Sequence, residues 1–438
     1  MNRPLVAAIA LAAIAAFPVA AWQRSHAAAA APAQIPVAAA PHDYLDRDRL
    51  IAFYEREVAR DPNDQITLRM LGSQYMLRFR ERGDFGDVER AKAAGLRSLQ
   101  LQPLGNDAAD MGVASALLAF HEFHRALRYE REAVTAVPSN DGARAQIASL
   151  LMELGQYDRA AATLARPMGD GSDDTWASVR ARYYELTGRL ALARNLIGET
   201  AADVDRISAA PAYVRSWYHM RAAQLALEAG DDDAVANELA QSLYLYPHNA
   251  AALMVEAQWH RAHGRWQEAL DAATRSADLY PLPQTLGYKA DAQRALGDAS
   301  GASQTDALID AERHLYNVQG VNDRLLAMYY AQRAVHLDDA LRMARADLQK
   351  RGDEIYADDT MAWVLAAMGR WHDASPYAAL ASRLGTEDPM LQYHAGVIAL
   401  ENGRIREGRE RLARALRLNP NFDPFYADDA RKRLAFGQ

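Results

Sequence analysis

Small side chains return along this sequence at a fixed pitch, and that rhythm constrains the fold more than any other feature. One series reads Gly72, Ala114, Ala148, Ala181, Ala223, Ala257, Ala290, Met328, Ala362 and Gly396. A second reads Ala91, Ala126, Ala160, Ala193, Val235, Ala269, Ala302, Ala340, Ala374 and Gly408. Most steps are 33 or 34 residues, with longer steps of 42 after Gly72 and Ala181 and of 38 after Ala290. Two helices whose backbones cross closely need small side chains at the crossing, so two interleaved series at one pitch predict a stack of helix pairs.

The punctuation between the series agrees. From Trp266 the residues Ala269, Ala273, Ala277 and Tyr280 follow at helical spacing and line one face. Gly264 precedes that helix and Pro281 follows it; glycine takes the left-handed conformation that ends a helix, and proline cannot continue one. The same 17-residue spacing from turn glycine to stop proline separates Gly230 from Pro247 and Gly403 from Pro420. The predicted unit is helix, tight turn, helix, stop.

Quoted residue by residue, the units Ala250–Pro281 (Leu253, Ala257, Gly264, Trp266, Ala269, Pro281) and Pro389–Pro420 (Gly396, Gly403, Leu412, Ala415, Pro420) resemble the tetratricopeptide repeat family. The resemblance covers residues 65–422 and implies an all-α fold, an α-solenoid of about ten helix-turn-helix repeats, in an exported bacterial member of the family. Met328 departs from the pattern where a small residue is expected, Ala302 and Asp306 leave one second helix poorly apolar, and the unit from Ser178 to Ile197 lacks its proline. The long steps locate insertions: Arg78–Arg90 is expected to lengthen both helices of the first unit, and Gly198–Tyr213 to form a loop. Residues 45–64 read as a lone second helix and residues 423–438 as a polar capping helix, both shielding ends that a solenoid exposes.

The first residues carry Arg3, an apolar run from Leu5 to Ala21 and an Ala/Pro tract over residues 22–44. That order is expected of an export signal over residues 1–21, cleaved after Ala21 or among the alanines beyond His26, with an uncleaved inner-membrane anchor over residues 5–21 as the alternative. Periplasmic localisation follows on either reading. A net charge of −8 without a basic block excludes sequence-independent nucleic-acid binding, and the absence of cysteine excludes thiol chemistry and disulfides.

In the tetratricopeptide family the first helices line a concave wall where extended peptides or partner helices lie. Here that wall is expected to present Arg182, Glu185, Arg221, Gln224, Glu228, Gln258, Arg261, Tyr288, Asp291, Arg294, Tyr329 and Gln332. Arginine grips carboxylates bidentately and tyrosine adds apolar area with a polar tip, so the set is suited to protein or peptide partners. Some relatives clamp a peptide carboxylate with Lys and Asn; the corresponding positions here are Ala145, Ser149, Met220, Gln224, Met254 and Gln258, which do not make that clamp.

Signals for chemistry are few. There is no phosphate loop, zinc-protease helix or hydrolase elbow, and no catalytic residue, cofactor or metal ligand is assigned. His121 with His124, and His260 with His263, stand three apart and suit one side of a metal site, but no third ligand accompanies either pair. Asp231-Asp232-Asp233 is expected to cap a helix, Trp266 and Trp371 to pack in the core, and one of Trp217, Trp259 and Trp363 to anchor a ligand in the groove. The leading expectation is an exported, non-enzymatic scaffold. A metal-binding or transporter-associated accessory using the His pairs is the alternative, and an enzyme with catalytic residues embedded in the repeats is less favoured because the register leaves no stretch of domain size unassigned.

Overall fold

The computed structural model describes residues 47–166, 173–207, 210–319 and 324–435, and among them every regular element is a helix. The expected signal or anchor over residues 1–21 and the linker over 22–44 lie outside the described residues. Helix α1 (Arg47–Arg60) is followed by ten hairpins: α2 (Gln65–Arg82) with α3 (Phe85–Leu101), α4 (Asp107–Ala119) with α5 (Phe123–Ala136), α6 (Asp141–Glu153) with α7 (Tyr157–Leu164), α8 (Asp173–Leu186) with α9 (Leu190–Asp205), and α10 (Ala212–Glu228) with α11 (Asp232–Leu245). The series continues as α12 (Ala250–Ala262) with α13 (Trp266–Leu279), α14 (Pro283–Ala295) with α15 (Ala299–Gln319), α16 (Arg324–Arg333) with α17 (Leu337–Arg351), α18 (Ile355–Ala367) with α19 (Trp371–Ala381), and α20 (Pro389–Glu401) with α21 (Ile405–Leu418). Helix α22 (Tyr426–Ala435) closes the array.

Local chemistry sets the helix ends. Asp64, Asn140, Asn249 and Asp388 accept hydrogen bonds from the first free N–H groups of α2, α6, α12 and α20, and Asp231 caps α11 through Ala234 N–H. Within most hairpins the turn residue is a glycine at positive φ; at Gly230 its N–H reaches Leu227 O and the next N–H reaches Ala226 O, satisfying the last carbonyls of α10. Two hairpins do this without glycine. His121 (φ 56°) and Ala334 (φ 53°) hold the same left-handed turn, so the first member of the His121/His124 pair is a turn residue, with its ring stacked on Phe123.

The small-residue series lie where expected. Both are buried at every position except Met328, and Ala327, fully buried beside it, is the contact residue of α16 instead. The extra length of this step lies in α15, which at 21 residues is the longest of the second helices. The first insertion lengthens α2 to 18 residues and α3 to 17, as expected. The second is a correction: much of Gly198–Tyr213 is helical, with α9 continuing to Asp205 and α10 beginning at Ala212, and Thr200, Ala201 and Val204 are buried against α10. Helix α1 docks on α2 through Arg47, whose guanidinium donates to Gln74 (2.7 Å) and Glu81 (2.7 Å).

The stack winds tightly enough for the chain to meet itself. Ile355 N–H donates to the Tyr157 hydroxyl (3.0 Å) and Arg351 pairs with Glu153, each 198 residues apart. Thr386 Oγ1 donates to Leu186 O (2.5 Å), Leu190 N–H to Glu387 Oε2 (3.3 Å) and Asn419 Nδ2 to Leu227 O (2.7 Å). Each contact sets the turn inside one hairpin against a connection about six repeats later, so one superhelical turn holds about six repeats and successive turns touch along a seam. Glycines of those hairpin turns are pressed into the seam: a methyl group on Gly155 would lie 2.4 Å from Asp353 O, and one on Gly188 would lie 2.4 Å from Gly385 O.

Candidate functional site

Because the winding is tight, the concave faces of seven consecutive first helices, α8 to α20, converge. They enclose a cavity of about 350 Å³, within the range of small-ligand sites and too small to hold a partner helix along its length. Residues Asn419–Asp423, after α21, close it by packing back on α10 and α12: Asn419 bonds Leu227 O, and Asp423 accepts from Arg261 (2.6 Å).

Of the residues expected on the concave wall, Arg182, Glu185, Arg221, Gln224, Glu228, Gln258, Arg261, Tyr288, Asp291, Tyr329 and Gln332 line this cavity. Arg294 does not; its half-exposed side chain pairs with Asp306 on α15 and lies 3.6 Å from Asp291. Its counterpart one repeat earlier, Arg261, is drawn inward by Asp291 (2.9 Å) and Asp423 and lies between the rings of Tyr288 and Phe425, each 5.2 Å from the guanidinium carbon. Sequence reasoning missed Arg324, Arg333, Tyr356, Asp359, Asp388 and His394 in the wall. Two of them follow the register of the residues found: His394 stands two before Gly396, as Arg221 and Tyr288 stand before Ala223 and Ala290, and Arg333 stands five after Met328, as Glu228 stands after Ala223. Arg324, Tyr356, Asp359 and Asp388 enter from the first turns of α16 and α18 and the cap of α20, where that register assigns no wall position.

The charges of the wall are mutually arranged. Arg182 and Arg221 both pair with Glu185, and Arg221 also donates to Gln224 Oε1 (2.6 Å). Arg333 donates to Asp291 (2.6 Å) and Arg324 to Glu354 (2.8 Å). Arg182 and Arg324 also lie over the ring of Tyr356, at 5.3 and 5.5 Å. His394, completely buried, directs Nδ1 at both carboxylate oxygens of Asp359 (3.0 Å each), and its ring stacks on Trp363 at 4.1 Å. With Nδ1 turned to the carboxylate, Nε2 is the ring nitrogen left for another partner, and it has no hydrogen-bond partner among the described residues. Burial raises the carboxyl of Glu228 well above its usual range, with the like charge of Glu185 adding to it, and burial raises that of Asp388. Burial also pushes the Tyr288 hydroxyl up to about 12.

The remaining expected groups have other roles. Asp232 accepts from Trp259 Nε1 (2.8 Å) and binds His263 (2.9 Å), so the second His pair is divided: His263 belongs to this network and His260 packs on Trp259. Trp217 lines the cavity, Trp363 backs it through His394, and Trp266 and Trp371 are half-buried. Among the described residues no group of three or more His, Asp or Glu side chains is placed to hold a metal, and no helix is long and apolar enough to cross a membrane.

Residues 117–183 match the tetratricopeptide repeat family. That segment carries tetratricopeptide repeats. The matched segment spans α5 to α7 with parts of α4 and α8, and a helical hairpin of the same kind recurs on both sides of it along the array. Among solved structures the array is similar to yeast Tom70 (10% identity, 85% of this chain and 96% of that chain, TM-score 0.32). It is also similar to a chain of Naa15/Naa10 bound to HypK-THB (14%, 86% and 66%, 0.27) and to one of the APC/C hetero-tetramer Cut9-Hcn1 (13%, 85% and 96%, 0.26). No curated protein matches the sequence.

Proposed function

We propose that this protein is a non-catalytic interaction scaffold that receives a segment of another protein in its central cavity, and that it does so outside the cytoplasm. The observation that carries the first part is convergence: eleven of the twelve side chains expected on the concave wall line one cavity. A solenoid interior of that kind offers polar and aromatic groups to a chain end or to a few side chains, while the bulk of the partner rests on the rim. The order of the first 44 residues supports export.

A cavity-filling change tests the scaffold. Gln258→Trp places a large ring in the cavity without removing an ion pair. Wild-type protein, used as bait in an extract of its source cells, is expected to retain a partner that Gln258→Trp loses while thermal unfolding stays unchanged. Equal retention by both would move recognition to the outer surface and overturn the reading. Export is checked by the N-terminus of the protein recovered from fractionated cells, expected beyond Ala21 and outside the cytoplasm; an intact cytoplasmic product would reject it.

A further inference from the structure

The arginines that suggest an acidic ligand are already engaged within the chain. Arg182 and Arg221 share Glu185, Arg261 and Arg333 share Asp291 with Asp423 completing the set, and Arg324 holds Glu354. Five arginines face six carboxyl groups in the lining; just outside it, Glu354 beside Arg324 adds one carboxyl group and Arg294, 3.6 Å from Asp291, adds one arginine. The groups left over are acceptors. Among the described residues Glu228 forms no hydrogen bond or ion pair, Asp388 is bonded only to the backbone N–H groups it caps, and buried His394 Nε2 has no hydrogen-bond partner. Gln258 and Gln332 also reach the cavity with their amides unbonded among the described residues. Glu228 and Asp388 are close enough to repel, and Tyr356 lies between their fields.

We infer that the cavity takes an organic cation, an ammonium or guanidinium group, held between Glu228 and Asp388 with His394 Nε2 and the free amides as further acceptors. This rests on the cavity being the binding site and specifies the chemistry of its occupant. A cation answers the excess of carboxyl groups and supplies donors to atoms that are otherwise buried without them, whereas an anion would add to the excess and leave them unmet. Two sources carry the group: the side chain of an arginine or lysine on a partner peptide, and a free small molecule. The raised carboxyl of Glu228 adds a signature, because a bound cation stabilises the ionised form and binding releases a proton.

Isothermal titration of the full chain near pH 7, in two buffers of different ionisation enthalpy, tests this with three probes: acetyl-Ala-Ala-Arg-Ala-Ala-amide, the same peptide with Glu for Arg, and agmatine. The expected result is binding of the arginine peptide with net proton release, no binding of the glutamate peptide, and at least tenfold weaker binding to Glu228→Gln, an isosteric change whose fold is verified by circular dichroism. Binding of agmatine alone keeps the cation and assigns it to a free small molecule. Preference for the glutamate peptide overturns the cation while leaving the scaffold reading intact. Silence from every probe, or arginine-peptide binding unaffected by both Glu228→Gln and Gln258→Trp, also overturns it; the retention experiment with Gln258→Trp judges the scaffold independently.

Discussion

Two groups of hairpin turns in this molecule use the same residue in the same conformation and live in different surroundings. Gly155 and Gly188 hold φ of 66° and 67° and are pressed against the backbone of a connection about six repeats away. Gly369 and Gly403 hold φ of 73° and 75° and face open space. The first pair answers two requirements, a left-handed turn and a seam with no room for a side chain; the second pair answers only the first. A repeat motif therefore specifies its own hairpin, and the tightness of the winding is specified separately.

The largest effect expected from that contrast is at Gly188. Gly188→Ala combines left-handed strain with a methyl group against Gly385 O, and a loss of about 3 kcal/mol in urea unfolding is expected; a loss no larger than at an open turn would mean that the seam yields freely. Next comes a titration within the seam. Asp358, completely buried, is bound by Arg383 (3.0 Å) on one oxygen while the other has no partner, and burial pushes its carboxyl up to about 7 from an ordinary 3.8. The folded state then keeps a proton that the unfolded chain releases, so this group leaves stability unaffected below pH 4 and reduces it progressively up to about pH 7. Asp358→Asn is expected to flatten the dependence of unfolding free energy on pH across that window, by on the order of 2 kcal/mol, and an unchanged slope would refute the assignment.

At the open turns the expected effects are smaller. Gly369→Ala should lose about 1 kcal/mol, from left-handed strain alone, as measured by the urea midpoint. Ala334→Gly should gain somewhat less than about 1 kcal/mol, since the turn is already left-handed without glycine. A gain at Ala334 together with equal losses at Gly188 and Gly369 would erase the distinction between the two kinds of turn.

The same distinction explains what was legible. Alanines at 257 and 269 announce a close helix crossing because the partner helix is a few residues away, and both are fully buried as read. His121 and Ala334 were harder, since an unusual backbone conformation imposed by neighbours leaves no mark when the residue is not glycine. Gly198–Tyr213 read as a loop from repeat arithmetic, but the excess residues extend two helices whose faces find a place to bury. Arg261 and Arg294 occupy equivalent positions and are indistinguishable by register; Asp423, 162 residues from Arg261, decides which one faces inward. Pairings such as Thr386 with Leu186 are single hydrogen bonds between distant points of the chain, and no periodicity encodes them.

The segment from Asn419 to Asp423 has a consequence for how the molecule comes into being. A ribosome finishes the hairpins from one end, and each can stack as it emerges, but one of the two counter-ions that turn Arg261 inward is made 162 residues after it. Until it arrives the interior is an open gutter in which Asp291 holds that guanidinium without its second carboxylate. A chain cut short before residue 419 would keep most of its helices and lack the lid of its own chamber, so the chamber is completed only after every hairpin around it has been made.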